Sequence, residues 1–346
     1  TCNCSTTRAW RSNCCSGWRA NTQTKRYDDI PQGDNVENKK YRLVTRSDFD
    51  GLVCAVLLNE LDLIDDITFV HPKDMQDGKI AITERDITTN LPFVPGAHLV
   101  FDHHESETVR NAGRRDVNHI IEAHAPSAAR VVYNHYGGQA AFPRITDEMM
   151  AAVDQADSAQ YSRDDILDPQ GWVLLNYLMD SRTGLGRFRE FRISNYALMM
   201  DLIKYCRDHT IAQILQLPDV QERVALYHEH SAKAKEQILQ CATQIGNLVV
   251  LDLRPEETIW ATNRFMIYAL FPTANISIHV MWGLQKQNTV LATGKSILDR
   301  SSKTHVGNLM LEYGGGGHAA AGTCQVANDK ADGMLQMLVQ RINVDG

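Results

Sequence analysis

From residue 40 onward, apolar and polar positions follow two alternating periods. Residues 41–46 read as a short strand, and 51–61 as a helix with Leu52, Val53, Val56 and Leu57 on its apolar face. Further strands are expected at 67–70, 79–83 and 98–101, and helical periods recur at 127–136 and 147–160. Strands alternating with helices predict an α/β fold: a parallel sheet of five or six strands, covered on both faces. In such sheets the functional groups gather beyond the carboxyl ends of the strands.

The stretch 196–245 is helical in pattern and interrupted at Pro218. Its regular part, 220–244, is polar enough for a solvent-facing connector. Beyond it, strands are expected at 247–252, 275–283, 289–295 and 323–326, with helices at 264–270, 306–313 and 330–342. The division that follows is a disordered leader (1–39), an α/β domain (40–195), a helical connector (196–245) and a smaller second α/β domain (246–346).

A hydrophobic fraction of 43% and a charged fraction of 22% are those of a globular chain, so no fibrous or disordered class need be considered. No apolar run approaches the ~18–20 residues of a membrane span, and residues 1–40 lack a secretory apolar stretch. A cytoplasmic protein with no membrane partner is expected, and a homodimer is compatible with the sequence. The net charge of −7 is uneven, because residues 1–40 carry 7 Lys/Arg against 4 Asp/Glu and the remainder is strongly acidic. Long nucleic acid is therefore not an expected partner, since its binding requires neutralised phosphates. A small phosphorylated substrate or short oligonucleotide is.

Cys2, Cys4, Cys14 and Cys15 crowd the leader without the paired C-x₂-C spacing of zinc sites. Cys54, Cys206, Cys241 and Cys324 are dispersed and read as small buried hydrophobes.

Candidate chemistry sits at the expected strand ends. Asp48 and Asp50, in Ser-Asp-Phe-Asp-Gly between strand and helix, either face one site together or cap the helix. Asp102, His103 and His104 follow the buried strand Leu-Val-Phe, a placement suited to metal binding or proton transfer. Asp86 is expected just after the strand at 79–83, and Asp157 closes an apolar helical stretch, with Asp154 competing for its role. Near the C-terminus, Gly314, Gly315, Gly316, Gly317 and His318 form a glycine-rich run preceded by Lys295, Ser296, Arg300, Lys303 and His305. Backbone N–H groups without a Cβ in the way suit phosphate oxygens, although a plain hinge is the alternative.

Taken together, Ser-Asp-Phe-Asp-Gly, Asp86, Asp-His-His and Ala-Asp-Ser at 156–158 resemble the four motifs of the DHH phosphoesterase superfamily. That superfamily includes RecJ exonucleases, nanoribonucleases and manganese-dependent pyrophosphatases. The Tyr-Gly-Gly-Gly-Gly-His run is similar to the signature of the DHH-associated substrate domain. The resemblance covers residues 40–346 and lies nearest the bacterial branch labelled exopolyphosphatase-related. It implies that Asp48, Asp50, Asp86, His103 and Asp157 hold two divalent cations, Mn²⁺ or else Mg²⁺, with Asp86 bridging. It also implies that His104 touches the scissile phosphate and that Asp102 orients an imidazole. Lys295, Ser296, Arg300, His305, Gly314–Gly317 and His318 would hold substrate.

One departure is Val44, which stands where several members carry a histidine. The expected activity is hydrolysis of phosphoester or phosphoanhydride bonds in short oligonucleotides, nucleotide bisphosphates or polyphosphate. The contrasting reading is a degenerate nucleotide sensor without turnover. Oxygen-rich sites with one imidazole suit Mn²⁺ or Mg²⁺ rather than thiophilic metals.

Overall fold

A computed structural model describes residues 39–104, 107–108, 116–188 and 190–346. The leader with its four cysteines lies outside the described residues. Five strands form the first sheet: β1 (Tyr41–Arg46), β2 (Ile64–Val70), β3 (Asp86–Thr89), β4 (Leu99–Asp102) and β5 (His119–Ile121). Their order is β2-β1-β3-β4-β5 and every pairing is parallel. All their carboxyl ends therefore share one edge of the sheet.

Helix α1 (Phe49–Glu60) is buried from Phe49 through Leu58, not along one stripe as its pattern suggested. It is enclosed by β1 and β2 and by three helices: α3 (Ala128–His135), α4 (Asp147–Asp157) and α7 (Asn195–Asp208). A helix apolar all round is the sequence form of such a central position. Gly51 makes the entry turn: a Cβ there would sit 2.0 Å from the Arg46 carbonyl oxygen. The short helix α2 (Pro72–Gln76) follows β2.

The strand expected at 79–83 is absent. Instead Thr83 donates its N–H to the Asp86 carboxylate at 2.7 Å, and this turn delivers the chain into β3, which begins at Asp86 itself. The remaining helices of this half are α5 (Arg163–Leu167), α6 (Gly171–Met179), α8 (Ile211–Ile214) and α9 (Pro218–Cys241), with Pro218 at the first position of α9. The expectation of a solvent-facing connector is corrected for α9. One of its faces, including Val220, Tyr227, Ala234 and Ile238, is buried, and the helix packs on α6 and on α10 (Met266–Leu270). Polar Arg223, His230 and Gln237 lie within that buried face, which disguised it in the pattern.

A second, mixed sheet has the order β10-β11-β9-β8-β7-β6. It comprises β6 (Ala242–Ile245), β7 (Leu248–Asp252), β8 (Ile276–Trp282), β9 (Thr289–Lys295), β10 (Gly316–Gly317) and β11 (Ala321–Val326). Helices α11 (Val306–Glu312) and α12 (Ala331–Asp345) complete it. The main apolar core runs from Leu43 and α1 through α6 and α7 to Val249, Leu251 and α10, while a second cluster under the other face includes Ile278, Leu291, Met310 and Leu338. Cys54, Cys206 and Cys324 are buried and Cys241 is partly so. Among the described residues, no helix is long and apolar enough to cross a membrane.

Gly51→Ala is expected to cost at least ~2 kcal/mol, as an overpacked core site does, because the obstructing atom is backbone. Chemical denaturation of the variant beside the wild type measures this.

Candidate metal centre

The α1 entry turn carries both aspartates of the first motif. Asp48 caps α1, accepting from Gly51 N–H at 3.0 Å, and pairs with Arg46 at 2.9 Å. Capping and site-facing were weighed as alternatives; Asp48 does both. Asp50 is 2% exposed, and its two oxygens accept the N–H groups of Ala128 (3.0 Å) and Ala129 (2.8 Å) in the first turn of α3. Burial, then the charge of Asp157, pushes the Asp50 carboxyl up to about 8. Burial likewise raises Asp48, against the pull of Arg46.

At the end of β4, Asp102 is fully buried and accepts from the His103 N–H (2.8 Å) and at the His104 ring Nδ1 (2.7 Å). This holds the His104 ring in place. Burial alone would lower the His104 imidazole, but its bond to Asp102 outweighs that and raises it. His103 Nδ1 meets the Ala125 carbonyl at 3.1 Å, turning Nε2 toward Asp157 at 2.9 Å. Here too burial lowers and Asp157 raises, with a net rise to about 9.

Asp50, His103 and Asp157 offer three ligand atoms within 4.8 Å of one another. His103 Nε2 and Asp157 are 2.9 Å apart. Neighbouring ligands of an octahedral ion bound at ~2.1 Å sit ~3.0 Å apart, so the spacing fits a shared cation. A carbonyl-bound Nδ1 that turns Nε2 toward the acids is the usual support for a ligating imidazole.

The choice between Asp154 and Asp157 resolves by direction. Asp154 accepts from Ser127 Oγ (2.8 Å) and Arg130 Nε (2.9 Å) and is held away from the cluster, while Asp157 faces it.

Asp86 is a correction. It opens β3 beside Arg42 on β1, the amino end of both strands, and accepts from Arg42 Nε at 2.7 Å. Parallel register sets it several residues, at ~3.3 Å each, from the carboxyl edge where the cluster lies. It is a structural anchor and cannot bridge ions there. Asn90 occupies the carboxyl end of β3 instead. It is 1% exposed, has φ of 55°, and reaches Asp48 through Nδ2 at 3.2 Å, while its Oδ1 has no hydrogen-bond partner. Being neutral, it carries no charge signal in the sequence; its mark there is its place after the buried run Ile-Thr-Thr. Val44 lies fully buried in β1 against Val70, Met75 and Leu91.

The glycine-rich run comes to the same edge, with the His318 ring 6.2 Å from that of His104. Of the backbone N–H groups expected to suit phosphate oxygens, those of Gly314, Gly315 and His318 are given to Leu311, Met310 and Ala321, and Gly315 and Gly317 permit close packing on β11. Arg300 reaches across to the Ala159 carbonyl at 3.1 Å, next to Asp157. Lys295 binds the Ser302 carbonyl, Ser296 caps the turn at Leu298 and Asp299, and His305 caps α11. Two arginines that pattern reading missed, Arg182 and Arg264, line a recess with Asp48, Asp50 and Asp157. Arg182 lies just after one apolar stretch and Arg264 just before another, where no spacing marks them.

No family model matches the chain, and no curated protein matches it. Among solved structures, the pGpG-specific phosphodiesterase PggH from Vibrio cholerae is 64% identical, with a TM-score of 0.79, covering 89% of this chain and 100% of that one. RecJ from Thermus thermophilus with Mn²⁺ (13% identity, TM-score 0.48, 88% of this chain and 52% of that one) is too distant to argue from. With that identity, the fold defines a hydrolase of phosphoester bonds. The chain belongs to the DHH phosphoesterase superfamily.

Three asparagine variants distinguish these acids. Asp157→Asn is expected to abolish Mn²⁺ binding by calorimetry. Asp154→Asn and Asp86→Asn should leave it within about threefold while each costs ~1–3 kcal/mol of stability, as for a cation left without its partner. Loss of Mn²⁺ binding in Asp86→Asn would restore the bridging role.

Proposed function

We propose that this protein is a phosphodiesterase of short guanine-containing dinucleotides, pGpG being the substrate to test first. The observation that carries the proposal is 64% identity to the pGpG-specific enzyme over 89% of this chain. Within this reading, residues 40–195 are the catalytic domain, 196–245 join it to the rest, and 246–346 bring His318 and Arg300 to the substrate.

Asp50, His103 and Asp157 hold one cation, and Asp48 and Asn90 contribute to a second, Mn²⁺ being favoured. The fit rests on the crowded buried carboxylates and on the buried, unpartnered Oδ1 of Asn90, whose Nδ2 binds Asp48. Divalent ions, when bound, neutralise phosphoryl charge and make water a competent nucleophile near neutral pH. The protein's own part is orientation. Asp102 fixes the His104 ring, whose raised pKa suits it to donate a hydrogen bond or proton to a phosphate or leaving oxygen.

Turnover of pGpG with Mn²⁺, lost on chelation and restored by the metal, is the expected result. Equal turnover of inorganic polyphosphate or bulk RNA would overturn the dinucleotide reading. Metal affinity should depend on pH with a definite sign. In the metal-free protein His103 titrates at about 9 and Asp50 at about 8, so a cation must displace protons at both. Apparent Mn²⁺ affinity is expected to rise from pH 6 toward pH 9, by up to ~tenfold per pH unit for each proton released. Calorimetry in buffers of different ionisation enthalpy reads this out. Asn90→Ala should lower the affinity of the second ion by ~10-fold, leaving the first in place.

A further inference from the structure

Beside the acidic cluster, on the side of β2, lies a cavity of about 420 Å³. It opens between the carboxyl ends of β1 and β2 and the segments 178–182 and 195–202. Its size is in the range of small-molecule sites, and the carboxyl edge of a parallel sheet is where such ligands sit. Asp48, Asp180 and Arg182 line both this cavity and the small recess at the cluster. A ligand filling the cavity therefore places its next group against the metal centre.

The chemistry of the walls is graded. Leu178, Met179, Leu198, Met199 and Leu202 make one side apolar, and Phe69, held edge-on by Tyr196 at 5.9 Å, adds an aromatic face. Such a surface suits a planar base. Near β2, His71 accepts the Lys73 N–H at Nδ1, so its neutral ring presents Nε2–H as a donor. At the other end Arg182 lines both the cavity and the recess at the cluster, and Arg264 and Asp180 line that recess beside it. Arg182 is forked onto Asp180, at 2.7 and 2.8 Å, yet keeps 44% of its side chain exposed. Arg264 stacks on Phe265, and its buried Nε has no hydrogen-bond partner. Burial, then the Arg182 charge, pushes its guanidinium down to about 10, which a bound anion would relieve.

We infer that this cavity holds the nucleoside attached to the scissile phosphate, its purine against Phe69 and the apolar wall, and that Arg182 and Arg264 receive the phosphate oxygens. This rests on the dinucleotide reading for the identity of the ligand. It assigns base recognition to the first sheet and its helices, away from the glycine-rich run. It predicts a preference for nucleotide ends over polyphosphate, which has nothing to place in an apolar cavity.

The test is calorimetric titration of the full Mn²⁺-loaded chain with GMP and, separately, inorganic phosphate. Ser181→Trp, at the exposed rim, and Met199→Phe, in the wall, fill the cavity without touching the acids. Each is expected to weaken GMP by at least ~10-fold, as for losing a stacked base, and to leave phosphate affinity within about threefold. Arg264→Gln should weaken both ligands together. Unchanged GMP affinity in whichever filling variant melts like the wild type overturns the assignment. So do wild-type protein that binds phosphate as tightly as GMP, and filling variants that lose both ligands equally. Protein that binds GMP in this pattern but does not hydrolyse pGpG refutes the substrate reading and leaves the cavity's role standing.

Discussion

Asp50 is the carboxylate around which the site is assembled, and its bonds to Ala128 and Ala129 make that possible. A buried carboxylate beside two others is unfavourable in water-free surroundings. The first turn of α3 offsets part of this, because its N–H groups have no partners within the helix and its end carries partial positive charge. Asp50 is then fixed relative to α3, and α3 packs on α1, whose turn supplies Asp48. Gly51 is required because the turn brings the backbone so close to Arg46 that no side chain fits.

Around that anchor, each further group is positioned by a neighbour of a different kind. Asp102 holds His104, the Ala125 carbonyl turns His103, and Asp154 is occupied by Arg130, which leaves Asp157 as the helix's contribution. The remaining repulsion among buried acids is what a divalent cation relieves, so site assembly and metal affinity are one energetic problem. A neutral Asn90 where a fourth acid would otherwise crowd the edge moderates the same repulsion.

The second sheet meets the cluster through short polar reaches, not through a basic cradle. His318 faces His104, and Arg300 binds the backbone beside Asp157. The glycines that enable this are packing devices: at Gly315 and Gly317 a Cβ would lie 2.1 and 2.2 Å from carbonyl oxygens of β11. Positive charge near the acids lies instead on Arg182, paired with Asp180, and on Arg264. The proposed recognition is thereby split between that pair of arginines and the apolar cavity beside β2.

Much of this was readable without coordinates. The alternation of periods determined a parallel sheet with acids and imidazoles at its strand ends, since side-chain direction in strands and helices follows from local backbone geometry. Asp48, Asp50, Asp102, His103, His104 and Asp157 were marked by that pattern, and Asp50, His103 and Asp157 come together in the fold. Asp86 was misplaced because strand ends were inferred from a short apolar run, 79–83, that a turn centred on Asp86 absorbs. Which of Asp154 and Asp157 faces the site, whether a polar helix such as α9 hides a face, and that Arg182 and Arg264 share a recess depend on contacts between residues far apart in the chain. Local pattern carries no record of such contacts. The sequence by itself determined the chemistry available at the carboxyl edge. Only the tertiary packing decided which of those groups point at one another, because direction and proximity there are set by helices docking from distant segments.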